Sequence, residues 1–166
     1  MVGRFYEFHQ SMKKISTLFL IALCLMAPGI QAIEVIYSKH RTADSFKRIS
    51  EHLSGKENPG RYRIARSDTS RRDGHYVSMR IENTDTPELY QAVKIYYVRP
   101  GTTKVETATM QLEGKARKHL LVGLTDEFWE TGDNIPVAWK IEFLDTSGQV
   151  IGQAESFLWS PREASP

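Results

Sequence analysis

From residue 76 onward the chain alternates apolar and polar positions with a period of two, broken at intervals by turn residues. That period is the mark of strands with one buried face. The longest such unit is Pro136–Trp159, PVAWKIEFLDTSGQVIGQAESFLW, which reads as two strands and a tight turn. In its first arm Val137, Trp139, Ile141 and Phe143 share one face. Asp145-Thr146-Ser147-Gly148 supplies the turn: Asp can accept from the following N–H groups, and Gly suits a left-handed residue. In the return arm Val150, Gly152, Ala154, Ser156 and Leu158 form one face, while Phe157 and Trp159 fall on the mostly polar one.

Upstream, Tyr76–Glu82 turns Val77, Met79 and Ile81 inward, and Ser78, Arg80 and Glu82 outward. Ala92–Arg99 groups Val93, Ile95 and Tyr97, and Val105–Leu112 groups Ala108, Met110 and Leu112. Arg117–Leu124 groups Leu120, Val122 and Leu124. Asn83–Pro87, Pro100-Gly101 and Glu113-Gly114 separate these runs. Earlier, Ile33–Lys39 and Arg61–Ala65 read as strands, the second with Tyr62 and Ile64 on one side and Arg61 and Arg63 on the other. Between them the period changes: Phe46, Ile49 and Leu53 fall at helical spacing within Thr42–Ser54, with Gly55 as a stop. The expected fold is mainly β, an antiparallel sandwich of about seven or eight strands with one short helix near residues 42–54. The order of the last six strands, from Tyr76 to Trp159, resembles an immunoglobulin-like or fibronectin III-like domain. The cysteine pair of antibody-type domains is missing, as is an Asp-x-Tyr-x-Cys corner, and Trp139 takes the place of central core aromatic.

Residues 1–32 have another pattern. Lys13-Lys14 precedes nine unbroken apolar residues, Leu18–Met26, and Ile30-Gln31-Ala32 ends in a small residue. This is the layout of a signal peptide, with translation starting at Met12 as one reading. The apolar run is about half of a bilayer span. Leu23 ahead of Cys24 argues against a lipoprotein signal. The expected mature chain, residues 33–166, is one domain without cysteine, which removes thiol catalysis and cysteine metal sites. The expected location is the periplasm or the cell exterior.

Charge is uneven. Lys39–Arg80 carries eleven basic and five acidic residues, and residues 81–166 carry eight and thirteen. Five arginines, Arg61, Arg63, Arg66, Arg71 and Arg72, crowd into twelve positions near Tyr62 and Tyr76. Guanidinium groups hold carboxylate, sulfate or phosphate in bidentate fashion, so this cluster is one candidate binding site. The plainer reading is a strand edge kept soluble by charge. Phe128-Trp129, inside the acidic loop Thr125–Ile135, is the second candidate: either a wet aromatic tip for sugar or protein, or a plug folded into the end of the sandwich.

The remaining chemistry is thin. His40, His52, His75 and His119 form no i, i+2 or i, i+4 pair of metal ligands. Asp126–Asp133 matches no calcium-loop spacing, and Asn83–Glu88 matches less. There is no Gly-x-Ser-x-Gly elbow and no phosphate loop. No cofactor is expected. The sequence reading is therefore a non-catalytic exported binding or accessory protein of the cell envelope, meeting an unknown protein or an anionic glycan and not nucleic acid. The alternatives are a small envelope hydrolase or lyase acting on glycan, and a structural protein self-assembling through its end strands or the Phe157/Trp159 face.

Overall fold

A computed structural model of the chain describes residues 33–82 and 90–159. The signal-like segment, the Asn83–Glu88 stretch and the tail after Trp159 lie outside them. Eight strands form: β1 (Ile33–Arg41), β2 (Tyr62–Arg66), β3 (Gly74–Ile81), β4 (Ala92–Val98), β5 (Val105–Gln111), β6 (His119–Leu124), β7 (Ala138–Leu144) and β8 (Val150–Glu155). They make two four-stranded sheets, ordered β1-β3-β6-β2 and β5-β4-β7-β8. The protein is mainly β, as the alternation requires.

Period-two side chains from the two inner faces interlock. Val77, Met79, Ile81, Leu120, Val122 and Leu124 from the first sheet meet Val93, Ile95, Tyr97, Trp139, Ile141 and Phe143 from the second, all buried. Each large apolar side chain taken wholly out of water contributes about 1.5–3 kcal/mol, so this row is the main source of stability. Val137 departs from the expectation: it is 47% exposed. Strand β7 begins only at Ala138, and the Val137 N–H is drawn to the Val98 carbonyl at 2.9 Å, out of the regular β4–β7 register.

The β7–β8 turn closes as its residues dictate. The Asp145 carboxylate accepts from the Ser147 and Gln149 N–H groups at 2.8 and 2.9 Å, and Gly148 takes φ 79°. Strand β8 is shorter than the alternation suggested, ending at Glu155. Ser156 ends the ladder: its N–H donates to the Trp139 carbonyl, and its Oγ accepts from the Trp139 N–H at 3.0 Å. Beyond it Phe157 is 82% exposed, and Trp159 leans on Tyr96 with ring centroids 6.2 Å apart.

One pairing breaks the antiparallel rule. Strand β2 lies parallel to β6, on the opposite edge of the first sheet from β1. Parallel strands need a long crossover, and residues 42–61 supply it. They hold a 3-10 turn (Ala43–Phe46) and a short helix, α1 (Ile49–Ser54). The predicted helical stripe does not form, because Lys47 and Arg48 are extended between the two pieces. Phe46 alone is buried, while Ile49 and Leu53 stand 83% and 85% exposed.

Phe46 packs on the outer face of the first sheet, against Tyr76 and Leu121, with Tyr37, Tyr62 and Ile64 around them. That sheet is thus covered on both sides. Tyr76 and Ser78 are buried although they face away from the main core.

Candidate functional site

The arginine cluster does not form one patch. Arg63 points into the sandwich and is buried. Its guanidinium donates to the carbonyls of Tyr90 and Leu112, the latter at 2.6 Å, pinning β2 to the entry of β4 and the exit of β5. The expectation that it serves a surface site is therefore corrected. The strand parity was read correctly, but the core-facing residues of β2 are Arg63 and Ala65, while Tyr62 and Ile64 sit under the crossover.

Arg66 and Arg72 are consumed by carboxylates of the crossover. Arg66 grips Glu57 with both terminal nitrogens, at 3.1 and 2.5 Å, and its Nε donates to the Tyr76 hydroxyl at 3.0 Å. That hydroxyl in turn donates to the Arg72 carbonyl at 2.8 Å. Arg72 pairs with Glu51 and lies 3.6 Å from Glu57. The hydrogen bond from Arg66 holds the Glu57 carboxyl below its ordinary pKa, against the opposing effect of burial. Arg71, half-exposed, reaches Glu130 at 3.2 Å and Asp68 at 3.5 Å. These pairs tie the crossover and the neighbouring loops to the sheet.

Trp129 is fully buried, so the wet-tip reading is corrected in favour of a plug. Asp126 caps the 3-10 turn Glu127–Trp129 by accepting from the Phe128 N–H at 3.0 Å. That turn swings the indole inward, edge-on to Tyr97 with centroids 5.7 Å apart. Phe128 is half-buried, 4.5 Å beneath the Arg99 guanidinium. At the same end His75 is buried, and its Nε2 shares a hydrogen bond with Ser38 Oγ at 2.8 Å. Burial, with a smaller contribution from His40, pushes its pKa down to about 4.

One groove open to a ligand lies on the outer face of the first sheet, beside the crossover. A shallow groove of about 440 Å³ is lined by Tyr37, Lys39, His40, Arg41, Ser45 and Tyr62. Alternation along β1 places Tyr37, Lys39 and Arg41 on one face, and Ser78, small and directly opposite Tyr37, leaves room between β1 and β2. The Tyr37 and Tyr62 phenols lie near enough across that gap to influence each other's ionisation. Burial, then the neighbouring Tyr62, raises the Tyr37 pKa. Burial also pushes Tyr62 upward, but the hydrogen bond from Arg61 and the neighbouring Tyr37 outweigh it and leave its pKa lowered.

Cations frame these rings. Lys39 Nζ lies 4.8 Å from the Tyr37 ring centre. The Arg61 guanidinium lies 5.2 Å from the Tyr62 ring and donates to its hydroxyl at 3.2 Å. The Arg41 guanidinium sits 3.9 Å over Phe46, and donates to the Ser45 hydroxyl and carbonyl at 3.2 and 2.9 Å. Among the described residues, no carboxylate lies within ion-pairing distance of Lys39, Arg41 or Arg61. Of the five clustered arginines only Arg61 touches Tyr62 at the rim of this groove. Lys39 and Arg41 were missed, although Tyr37-x-Lys39-x-Arg41 is a readable signal: an aromatic and two cations on one face of a strand.

Among the described residues no group of three or more His, Asp or Glu is arranged to hold a metal ion. No described helix is long and apolar enough to cross a membrane. Comparison of the chain with known protein families, with curated proteins and with solved structures finds no match.

Proposed function

We propose that this chain is a non-catalytic, exported binding or accessory module of the cell envelope, and that its groove beside Tyr37 and Tyr62 holds an acidic glycan. The observation that carries the reading is the contrast between two sets of cations. Arg66, Arg71 and Arg72 are matched to carboxylates, whereas Lys39, Arg41 and Arg61 stand beside aromatic rings without one among the described residues. Cations held at fixed positions on an open face, next to amphipathic rings, suit carboxylate or sulfate groups carried on a sugar backbone. Export is supported by the basic, apolar and small-residue order of residues 13–32.

The immunoglobulin-like reading is supported by strand order. β1-β3-β6-β2 occupies the places of A-B-E-D, and β4, β7 and β8 those of C, F and G, with β5 beside β4 where variable-type domains add C′. The departure is β2, which arrives between β1 and β3 in sequence and runs parallel to β6.

The test is retention on immobilised heparin and on polygalacturonate, with poly-glutamate as the protein-like arm. Lys39→Glu combined with Arg41→Glu should weaken glycan binding tenfold or more, about 1.4 kcal/mol, with the thermal midpoint unchanged. Equal binding by the double variant removes the groove. Retention on poly-glutamate alone transfers the site to an acidic protein face, and turnover of the polygalacturonate moves the chain to the hydrolase or lyase class.

A further inference from the structure

Each sheet has two edges, and three of the four are blunted. Strand β1 carries a register shift between Val35 and Tyr37, with the charges Glu34, Lys39 and Arg41 along it. Strand β2 is flanked by arginines, and Ile64 bridges to Glu113 beyond it. Strand β8 is six residues long, shifts register opposite Phe143/Leu144 and has β1 beside it. These are the devices by which sheets avoid pairing with other chains.

Strand β5 also has β2 near it, where Arg63 and Ile64 reach Leu112 and Glu113 at its end, but along its own length it lacks the other devices. Its seven residues pair one for one with β4, without a bulge or a proline. Its only charge, Glu106, is turned aside: the carboxylate accepts from Arg99 Nε at 3.1 Å and from the Tyr97 hydroxyl at 3.3 Å. Val105, Thr107, Thr109 and Gln111 are uncharged and exposed.

The ladder fixes which backbone groups are free to pair outward. The Leu112 N–H donates to the Gln91 carbonyl at 2.9 Å in the β4–β5 register. By the alternation of antiparallel ladders, Met110, Ala108 and Glu106 also turn their backbone groups toward β4. Val105, Thr107, Thr109 and Gln111 therefore turn theirs off the edge of the sheet.

We infer that β5 is a self-association edge, at which two copies of this chain pair β5 against β5 antiparallel about a two-fold axis through Ala108. That register sets Val105 opposite Gln111 of the second copy and Thr107 opposite Thr109. All four are outward-facing, so each pairing exchanges both N–H···O bonds. Threonine opposite threonine is a favourable cross-strand pair. Glu106 meets Met110, so no like charges stand opposite one another. The interface is isologous and closes at two copies, joining the second sheets into one continuous eight-stranded sheet. It is smaller than a standard protein interface, so association is weak and concentration-dependent.

The experiment is sedimentation or light scattering on the full chain, from micromolar to millimolar concentration, at low and high salt. The mass should rise to that of a dimer, stop there and persist in high salt. Thr107→Lys places a charge on the edge. Thr109→Pro removes an N–H that β4 does not use, which an edge strand tolerates. Each should hold the chain monomeric with its near-ultraviolet circular dichroism intact, and should the proline variant fail to fold, the lysine variant decides. Phe157→Ser should leave the dimer unchanged. A wild-type chain that stays monomeric, grows past two copies, or dimerises equally well as Thr107→Lys overturns the assignment; so does loss of the dimer in Phe157→Ser.

Discussion

Arg63 shows how a single charge can be structural. Truncating it to Ala strands the Tyr90 and Leu112 carbonyls in a dry place. Stranded buried acceptors cost about 1–3 kcal/mol each, so Arg63→Ala should lose about 2–6 kcal/mol. A lowered urea midpoint with an unchanged slope is the expected readout. His75 gives a pH signature. Folded, it takes a proton only near pH 4, and unfolded near 6.5. Above pH 6.5 neither state is protonated. Between 6.5 and 4 the unfolded chain alone binds the proton, so stability falls as pH falls through that window, by about 3 kcal/mol in full. His75→Gln should flatten this part of the profile in unfolding titrations at pH 7.5 and 5. Neither role was legible beforehand, because one sequence gives the parity of a strand but not which face is core, and both side chains sit on inner faces at positions a charged or titratable residue usually avoids.

At the scale of elements, the hairpin β7–β8 was legible in its turn and its Trp139–Phe143 row, while β8 stopped at Glu155, short of Trp159. Its alternation, its Asp and its Gly all act locally, within a few positions. The crossover was not. Helical spacing of Phe46, Ile49 and Leu53 was real, but a long-range demand, spanning the sheet from β1 to β2, stretched Lys47-Arg48 and separated them. Ile49→Ser with Leu53→Ser should therefore change stability by no more than about 0.5 kcal/mol, seen as an unshifted thermal midpoint. Gly123 is the opposite case. It lies in β6 directly opposite Tyr76, whose ring covers it, and a Cβ there would overlap that ring. The Tyr76 hydroxyl is held by Arg66 and by the Arg72 carbonyl, so the ring has no room to yield. Gly123→Ala should cost about 1–3 kcal/mol, measured by chemical denaturation.

For the whole molecule, composition gave the correct sense of the charge imbalance but not its geography. The basic segment, residues 39–80, folds onto itself as well as onto the acidic second half: Glu51 and Glu57 cancel Arg66 and Arg72 within it. The groove was hidden for that reason, since counting arginines pointed to the neutralised ones. Two layers and a central Trp139 row followed from periodicity. Parallel pairing of β2 with β6 did not, as it is set by which edge the returning chain reaches.

That parallel pairing also orders events in time. The partner of Tyr62 is His119, so when the ribosome has delivered β2 its neighbour does not yet exist. Closing such a distant contact is slow, and the waiting segment travels with Tyr62 and Ile64 uncovered. A chain born in this order keeps residues 62–66 without their β6 partners until residue 123 has been made.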